Sequence, residues 1–229
     1  MESSVTRKDY YSAGVRNLDG DVFRASAIIE NPCRRTATSA RFAVTPLDSQ
    51  GHVLVSAGQP VQRHFTIMLI MPGQRAAGWT DFTREVAPGG VANLKIESAI
   101  RPDEGCWIEP AASGYQAVGR MTDITVGKRN TSRSLTNGEA DVSFTITWSP
   151  KGSLLGRRAA SVIFRDPDGR LLQVGGKSIG EDVKRGQRVH FVAWVPENVD
   201  RARTEVILEP EPDKRGQLGR LPASCLTGP

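Results

Sequence analysis

The chain contains an internal repeat, and this repeat constrains its fold more than any other feature of the sequence. Sliding the sequence by 118 residues aligns residues 25–58 with residues 143–176 without a gap. Seven of these 34 positions are identical, against roughly two expected from average composition. The identical pairs are Ile28/Ile146, Pro32/Pro150, Val44/Val162, Asp48/Asp166, Gly51/Gly169, Leu54/Leu172 and Gly58/Gly176. These residue types form turns and buried positions, so the repeat predicts two copies of one folded unit.

The later part of each copy continues the repeat at a different offset. Gly73-Gln74-Arg75 meets Gly186-Gln187-Arg188 at an offset of 113 residues. Each copy is then about 90 residues long, which is the size of one β-sandwich domain. The predicted segments are a first domain (9–98), a linker that contains prolines (99–118), a second domain (119–210) and a loosely held tail rich in Pro, Gly and charge (211–229).

The apolar residues within a copy follow the period of β-strands. From residue 142 to residue 148, apolar side chains alternate with Ser and Thr, which places four of them on one face of an extended strand. These four, which we expect to be buried, are Val142, Phe144, Ile146 and Trp148. No stretch of about a dozen residues has a 3.6-residue apolar period, so the sequence predicts an all-β protein. The expected fold is two tandem immunoglobulin-like antiparallel β-sandwiches that arose by internal duplication.

Turn signals stand at matching places in both copies and suggest a family. Residues 48–51 and 166–169 each begin with an Asp, which can bond its own backbone, and end with a Gly, which tolerates the positive φ of a tight turn. An apolar pair follows each turn, and further on comes Gly-Gln-Arg, preceded by Pro72 in the first copy only. This order resembles the FxLYD-like and related immunoglobulin-like modules of bacterial envelope proteins, although the Phe-x-Leu-Tyr-Asp signature is absent from both copies. The resemblance implies an interaction or accessory role without catalysis, and it transfers no functional residue.

Two arginine pairs and one tryptophan are the candidate contact residues. Arg34-Arg35 and Arg157-Arg158 both follow the first long strand of their copies. They form either a repeated loop that contacts an anion or a protein partner, or a solvated surface. Trp107 belongs to the linker, where an aromatic residue either packs between the domains or anchors a partner.

The sequence predicts no catalytic centre, cofactor site or metal site. The three histidines are His52, His64 and His190, and the first and third align with residues of different chemistry in the other copy. No nucleophile elbow, phosphate-binding loop or Cys-x-x-Cys pair is present. Asp48 and Asp166 do recur, but one Asp in a turn cannot supply the six to eight oxygen ligands that calcium takes. We therefore predict that the protein is not an enzyme and binds no cofactor.

The three cysteines, Cys33, Cys106 and Cys225, are far apart in the sequence. In an oxidising compartment we expect a disulfide between Cys33 and Cys106, because each follows a strand at an edge of the first domain; in the cytosol we expect three reduced thiols. The first residues show no basic segment followed by an apolar stretch, so an envelope location requires an export signal or anchor further upstream. The longest apolar run, residues 65–71, is too short to span a membrane.

Together these features predict a non-enzymatic protein-interaction or accessory module, displayed at the bacterial cell envelope or secreted, with a protein as its partner. A net charge of +5 leaves an alternative open, an intracellular protein that binds nucleic acid or an acidic partner through its basic loops. The arginines are spread among carboxylates, whereas nucleic-acid binders concentrate positive charge on a stripe. The interaction module is therefore the leading interpretation.

Overall fold

The structure, a computed structural model, describes residues 1–9, 21–32, 34, 36–70, 72–82, 91–98, 107–108, 120–128, 138–148, 157–180 and 186–211. Within these ranges the regular structure consists of β-strands and one turn of 3-10 helix at Arg201–Arg203. The protein is therefore all-β, as its apolar pattern predicts. No helix in the described part of the chain is long and apolar enough to cross a membrane.

The N-terminal half of the described chain forms two antiparallel sheets and a small hairpin. Its strands are β1 (Glu2–Asp9), β2 (Asp21–Glu30), β3 (Thr36–Leu47), β4 (Val55–Ser56), β5 (Gln59–Pro60), β6 (Arg63–Ile70), β7 (Arg75–Phe82), β8 (Asn93–Ser98) and β9 (Trp107–Ile108). One sheet has the order β1-β2-β7 and the other the order β6-β3-β8, with β9 paired to the first residues of β3. Among the described strands, β4 and β5 pair only with each other.

An apolar core lies between the two sheets of the N-terminal half. Successive side chains of a strand point to opposite faces of its sheet, so every second residue of β2 reaches this core. These residues are Phe23, Ala25, Ala27 and Ile29. From the other sheet, the rings of Phe42 and Phe65 stack with their centroids 5.2 Å apart. Gly78 on β7 lies against the Phe65 ring, where a larger residue would collide with it.

The C-terminal half also forms two antiparallel sheets. Its strands are β10 (Arg120–Val126), β11 (Gly138–Trp148), β12 (Arg157–Arg165), β13 (Leu171–Gly180), β14 (Arg188–Val195) and β15 (Glu205–Glu211). The sheet orders are β10-β11-β14 and β13-β12-β15. As the alternating pattern predicts, Val142, Phe144 and Ile146 are fully buried in the core between these sheets. The backbone of Trp148 pairs with Arg120, but its side chain lies outside the described part, so its burial stays a prediction.

A hydrogen-bonded Asp turn follows β3 in one half and β12 in the other. The amide of Gly51 donates to the carbonyl of Asp48 at 3.1 Å, and the amide of His52 donates to the Asp48 carboxylate at 2.9 Å. The matching bonds around Asp166 measure 2.9 Å and 2.8 Å. Gly51 and Gly169 have φ values of 84° and 85°, in the region that favours glycine. Asp48 and Asp166 therefore form turns, in agreement with the prediction from sequence.

The offset of 118 residues is wrong for β2 and β11. The Gly-Gln-Arg turns align β7 with β14 at an offset of 113 residues. The residue paired with Arg75 is Glu30, and the residue paired with Arg188 is Thr145. Strand β2 therefore matches β11 at an offset of 115 residues. The chain between β11 and β12 is three residues longer than the chain between β2 and β3, and the ungapped comparison could not accommodate this difference.

Two identical pairs of the repeat do not correspond in space, the first because of this shift in offset and the second because the described C-terminal half has no counterpart of the β4–β5 hairpin. An odd shift along a strand moves every side chain to the opposite face. Ile146 lies in the core of its half, whereas Ile28 lies on the outer face of its sheet. Gly58 occupies the turn of the β4–β5 hairpin with φ of 77°, whereas Gly176 lies inside β13.

Three strands lie partly or wholly outside the domain limits predicted from the repeat, the third being β15, which ends at Glu211, the first residue of the predicted tail. Strand β1 begins at Glu2, ahead of residue 9, and pairs with β2 along its whole length. Strand β9 falls inside the predicted linker, residues 99–118, and pairs Trp107 with Ala37. At the offset of 118, β1 shares no identical residue with the other half, so identity could not reveal this strand.

Candidate functional site

The two arginine pairs occupy different kinds of position. Arg34 is exposed between β2 and β3, while Arg35 lies outside the described residues. Arg157 and Arg158 are the first residues of β12 and pair there with β15. They are therefore strand residues and not residues of the preceding loop, and their side chains lie outside the described part.

The side chains of Trp107 and of the two cysteines predicted to form a disulfide lie outside the described part of the chain. Trp107 lies in β9 next to β3, but its side chain is not among those described. Cys33 and Cys106 both fall outside the described residues, so their disulfide remains a prediction.

A third apolar cluster joins the two halves, and we call this contact the junction. Its members, with the two residues packed against them, are Ile28, Ala77, Ile163, Leu171, Val174, Trp79 and Ile207. The first half contributes the outer face of the β1-β2-β7 sheet, and the second contributes the outer face of the β13-β12-β15 sheet. The four sheets therefore stack in layers, in the order β6-β3-β8, β1-β2-β7, β13-β12-β15 and β10-β11-β14.

Buried hydrogen bonds cross the junction beside the apolar cluster. The amide of Val174 donates to the hydroxyl of Ser26 at 2.9 Å, and both residues are fully buried. The hydroxyl of Ser4 donates to the carbonyl of Leu172 at 2.8 Å. These bonds satisfy polar groups that would otherwise be costly to bury, so they fix one alignment of the two sheets.

Trp79, a residue that the sequence analysis did not single out, packs between the halves; for Trp107, packing there stays a prediction. The Trp79 ring lies so close to Gly176 that a Cβ atom there would stand 2.6 Å from the ring. The Arg24 guanidinium lies 5.7 Å from the centre of the same ring and forms a bidentate pair with Asp81 at 2.7 and 2.8 Å. The sequence feature that could have revealed this contact is the composition of β7. This strand carries apolar residues on both faces, as strands buried on both sides do.

Four alternating charges line the edge of the junction. Arg165 donates to the Glu2 carboxylate at 2.5 and 3.0 Å and to Glu205 at 2.7 Å, and Arg75 donates to Glu205 at 3.0 Å. The bonds of Glu2 to Arg165 and of Arg75 to Glu205 connect the two halves. Hydrogen bonding from Arg165 is the main reason that the pKa of Glu2 lies below its ordinary value, and Glu2 in turn raises the pKa of Arg165.

The outer face of the β10-β11-β14 sheet is polar where the matching face of the other half is apolar. At offsets of 115 and 113, the junction residues Ser26, Ile28, Ala77 and Trp79 correspond to Asp141, Ser143, His190 and Val192. His190 pairs with Asp141 at 3.1 Å, and Val192 is 56% exposed. We call this surface the C-terminal end face.

Arg188 lies on the C-terminal end face with neutral partners. Its guanidinium donates to the hydroxyl of Ser143 at 2.7 Å and, more weakly, to that of Thr125 at 3.4 Å. Among the described residues no carboxylate pairs with it. This end face therefore presents one cation that can accept an acidic partner.

The outer face of the β6-β3-β8 sheet, which we call the N-terminal end face, is also polar. Lys95 pairs with Glu97 at 2.9 Å on β8, and the exposed His64 lies on β6, on the other side of β3. Desolvation and, secondarily, the charge of Arg41 lower the pKa of His64. In the described residues no group of three or more His, Cys, Asp or Glu side chains is arranged to hold a metal ion.

The β4–β5 hairpin and the segment that leads into it carry exposed apolar side chains. Val53 and Val55 are 42% and 57% exposed. The turn residues Ala57 and Gly58 have φ values of 49° and 77°, the signs of a type I′ hairpin turn. The C-terminal half has no matching hairpin in its described residues, because β13 follows its Asp turn directly.

Two comparisons of the sequence with known proteins identify no relative. No protein-family model matches the chain, and no curated protein matches it. One solved structure with a weak likeness comes from a study of a structural element that modulates proton-coupled electron transfer in oxalate decarboxylase. The identity is 12%, the alignment covers 86% of this chain and 70% of that chain, and the TM-score is 0.12. A score this low carries no information on fold or function.

Proposed function

We propose that the chain is a non-enzymatic protein-interaction or accessory module built from two immunoglobulin-like sandwiches that arose by duplication. The strand orders favour the duplication. With β4, β5 and β9 set aside, each half has six described strands, and both halves pair them as 1-2-5 and 4-3-6. The matching Asp turns and Gly-Gln-Arg turns favour it too.

The observation that carries the interaction role is the difference between the inner and outer faces of the stack. The junction uses one apolar sheet face from each half, and the described residues of the remaining two faces of the stack are mostly polar, with Val192 as an exposed apolar residue on the C-terminal end face. Duplicated domains of a repeat architecture commonly carry polar outer faces at their ends, which keep them soluble, and use the remaining surface for binding. The two end faces are therefore where we place the partner.

The location that we propose is the bacterial cell envelope, on the basis of the resemblance to envelope modules. The intracellular alternative, a binder of nucleic acid or of an acidic partner, draws on the net charge of +5 and on the exposed Arg34. Retention of the purified chain on heparin separates the two. Elution that shifts strongly with salt favours the alternative, because released counterions make nucleic-acid binding salt-dependent.

Photocrosslinking in the native cell tests the interaction role. A photoreactive residue replaces Thr66 on the N-terminal end face or His190 on the C-terminal end face; both positions are exposed. Gln50 in the Asp turn, also exposed but off both end faces, is the matched control. We expect a defined protein adduct from Thr66 or His190 and none from Gln50. Adducts with nucleic acid alone, or no adduct from either end face, would contradict the proposal.

A further inference from the structure

Among the described strands, β14 is an edge strand that lacks proline, lysine and backbone irregularity, three features that often protect sheet edges. It pairs with β11 over eight consecutive residues with no register shift, and it contains no Pro, Gly or Lys. The opposite edge of the same sheet, β10, has two register shifts and Asp123 at a φ of 54°. Strand β15 contains Pro210. Irregular backbone and proline discourage the addition of a further strand, and β14 has neither.

The backbone groups that face the open edge of β14 follow from its hydrogen bonds. The carbonyl of Trp194 accepts a bond at 2.9 Å from the side chain of Gln173, which lies away from β11. In an antiparallel ladder the residues alternate between bonding the neighbouring strand and facing away from it. Val192, His190 and Arg188 therefore direct their N–H and C=O groups to the open edge. No other described strand pairs with them.

We propose that this edge binds an extended segment of a protein partner as an added β-strand. The proposal rests on the interaction role above and names the place and the form of the contact. Strand addition draws its affinity from main-chain hydrogen bonds and its specificity from alternate side chains. The matching strand of the N-terminal half, β7, has its outer face covered by the junction, whereas β14 borders the open C-terminal end face.

The side chains beside this edge define the chemistry of the segment. Val192 is 56% exposed, so an apolar residue opposite it would remove apolar surface from water. Arg188 lies four residues away on the same face and has no carboxylate partner in the described chain. Charge complementarity therefore places an acidic residue opposite Arg188. The segment has a β-branched or apolar residue and an acidic residue four positions apart, with neither Pro nor Gly between them.

Selection from a phage-displayed library of random 12-residue peptides on the full chain tests this proposal. We expect enrichment of the spacing just described, and the synthetic form of the most enriched peptide is then the probe. In hydrogen exchange, binding of that peptide should slow the amides of His190 and Val192. Slowing at Val53 and Val55 or at Thr66 instead would overturn the β14 assignment and leave the interaction role standing, whereas no enrichment would overturn the assignment.

Substitutions at Val192 separate main-chain from side-chain binding. Val192→Pro removes an N–H that faces the open edge and breaks no ladder bond with β11, so we expect about tenfold weaker peptide binding. Val192→Thr keeps the N–H and the β-branch and should bind within about threefold of the wild type. Val192→Lys leaves the backbone intact and places a further charge on the edge. This variant is the second test of strand addition if the proline variant does not fold. Undiminished binding by both the proline and the lysine variants would refute strand addition.

Discussion

Gly176→Ala tests the packing of the junction. An ideal Cβ at this position would lie 2.6 and 3.0 Å from two atoms of the Trp79 ring and 2.9 Å from the carbonyl oxygen of Ala160. The ring can move, but the carbonyl belongs to the neighbouring strand of the same sheet and cannot easily yield. Overpacking of this kind typically costs 1–3 kcal/mol, and removing a glycine from the unfolded chain returns roughly 0.5–1 kcal/mol. We expect a net loss of about 1–2 kcal/mol in the free energy of unfolding.

Gly175→Ala is the matched control, because it makes the same change one residue away in β13. The nearest atom to its Cβ is a ring carbon of Phe164 at 3.8 Å, an ordinary contact. This variant should be neutral or more stable by up to about 0.5–1 kcal/mol. Urea unfolding followed by tryptophan fluorescence gives both values. If Gly176→Ala is as stable as Gly175→Ala, the close approach of Trp79 and the Ala160 carbonyl to Gly176 is refuted.

Three further predictions concern the core, the junction charges and the cysteines. Trp148→Ala should cost about 3–5 kcal/mol in denaturant unfolding if the ring is core, and a loss below about 1 kcal/mol would show that its face was misassigned. Glu2→Gln should cost about 0.5–1 kcal/mol near neutral pH, because Glu2 is partly exposed. Its pKa is lowered on folding, so the contribution of Glu2 is present above the ordinary carboxyl pKa and lost as pH falls through the lowered value; the two proteins should therefore converge in acid. In oxidised protein, thiol titration should find one free cysteine, with Cys33 and Cys106 bridged and the first domain more stable by about 4 kcal/mol in the chain-entropy model; three free thiols would contradict the pairing.

The local structure of the chain could be predicted where one short signal determines it. Asp48 and Asp166 form the turns that their sequence context predicts. In each turn the Asp carboxylate accepts a bond from the amide four residues later, and the glycine three residues later donates its amide to the Asp carbonyl. The alternation from Val142 to Ile146 predicts a buried strand face because the strand period is fixed at two.

The register of the strands in the repeat and the packing of the two halves against each other could not be predicted from the sequence pattern. The loop between β11 and β12 is three residues longer than the loop between β2 and β3. The ungapped alignment is therefore right at the Asp turns and wrong on the preceding strands, where Ile28 and Ile146 lie on different faces. The junction depends on shape across distant strands, as where the Trp79 ring meets Gly176, and no local pattern encodes such a contact. Trp107 was a candidate because it lies in the segment between the two copies, and its role stays a prediction.

The most direct test of the stacked arrangement is amide hydrogen exchange at Val174, measured by NMR in the wild type and in Ser26→Ala. The Val174 amide donates across the junction to the Ser26 hydroxyl, and both residues are fully buried. If the two halves stack as described, this amide exchanges slowly in the wild type. Loss of a buried bond worth about 1–1.5 kcal/mol should then accelerate its exchange about tenfold in Ser26→Ala, with the Phe144 amide in the other core unchanged. Rapid exchange in the wild type, or a rate that Ser26→Ala does not alter, would contradict the junction.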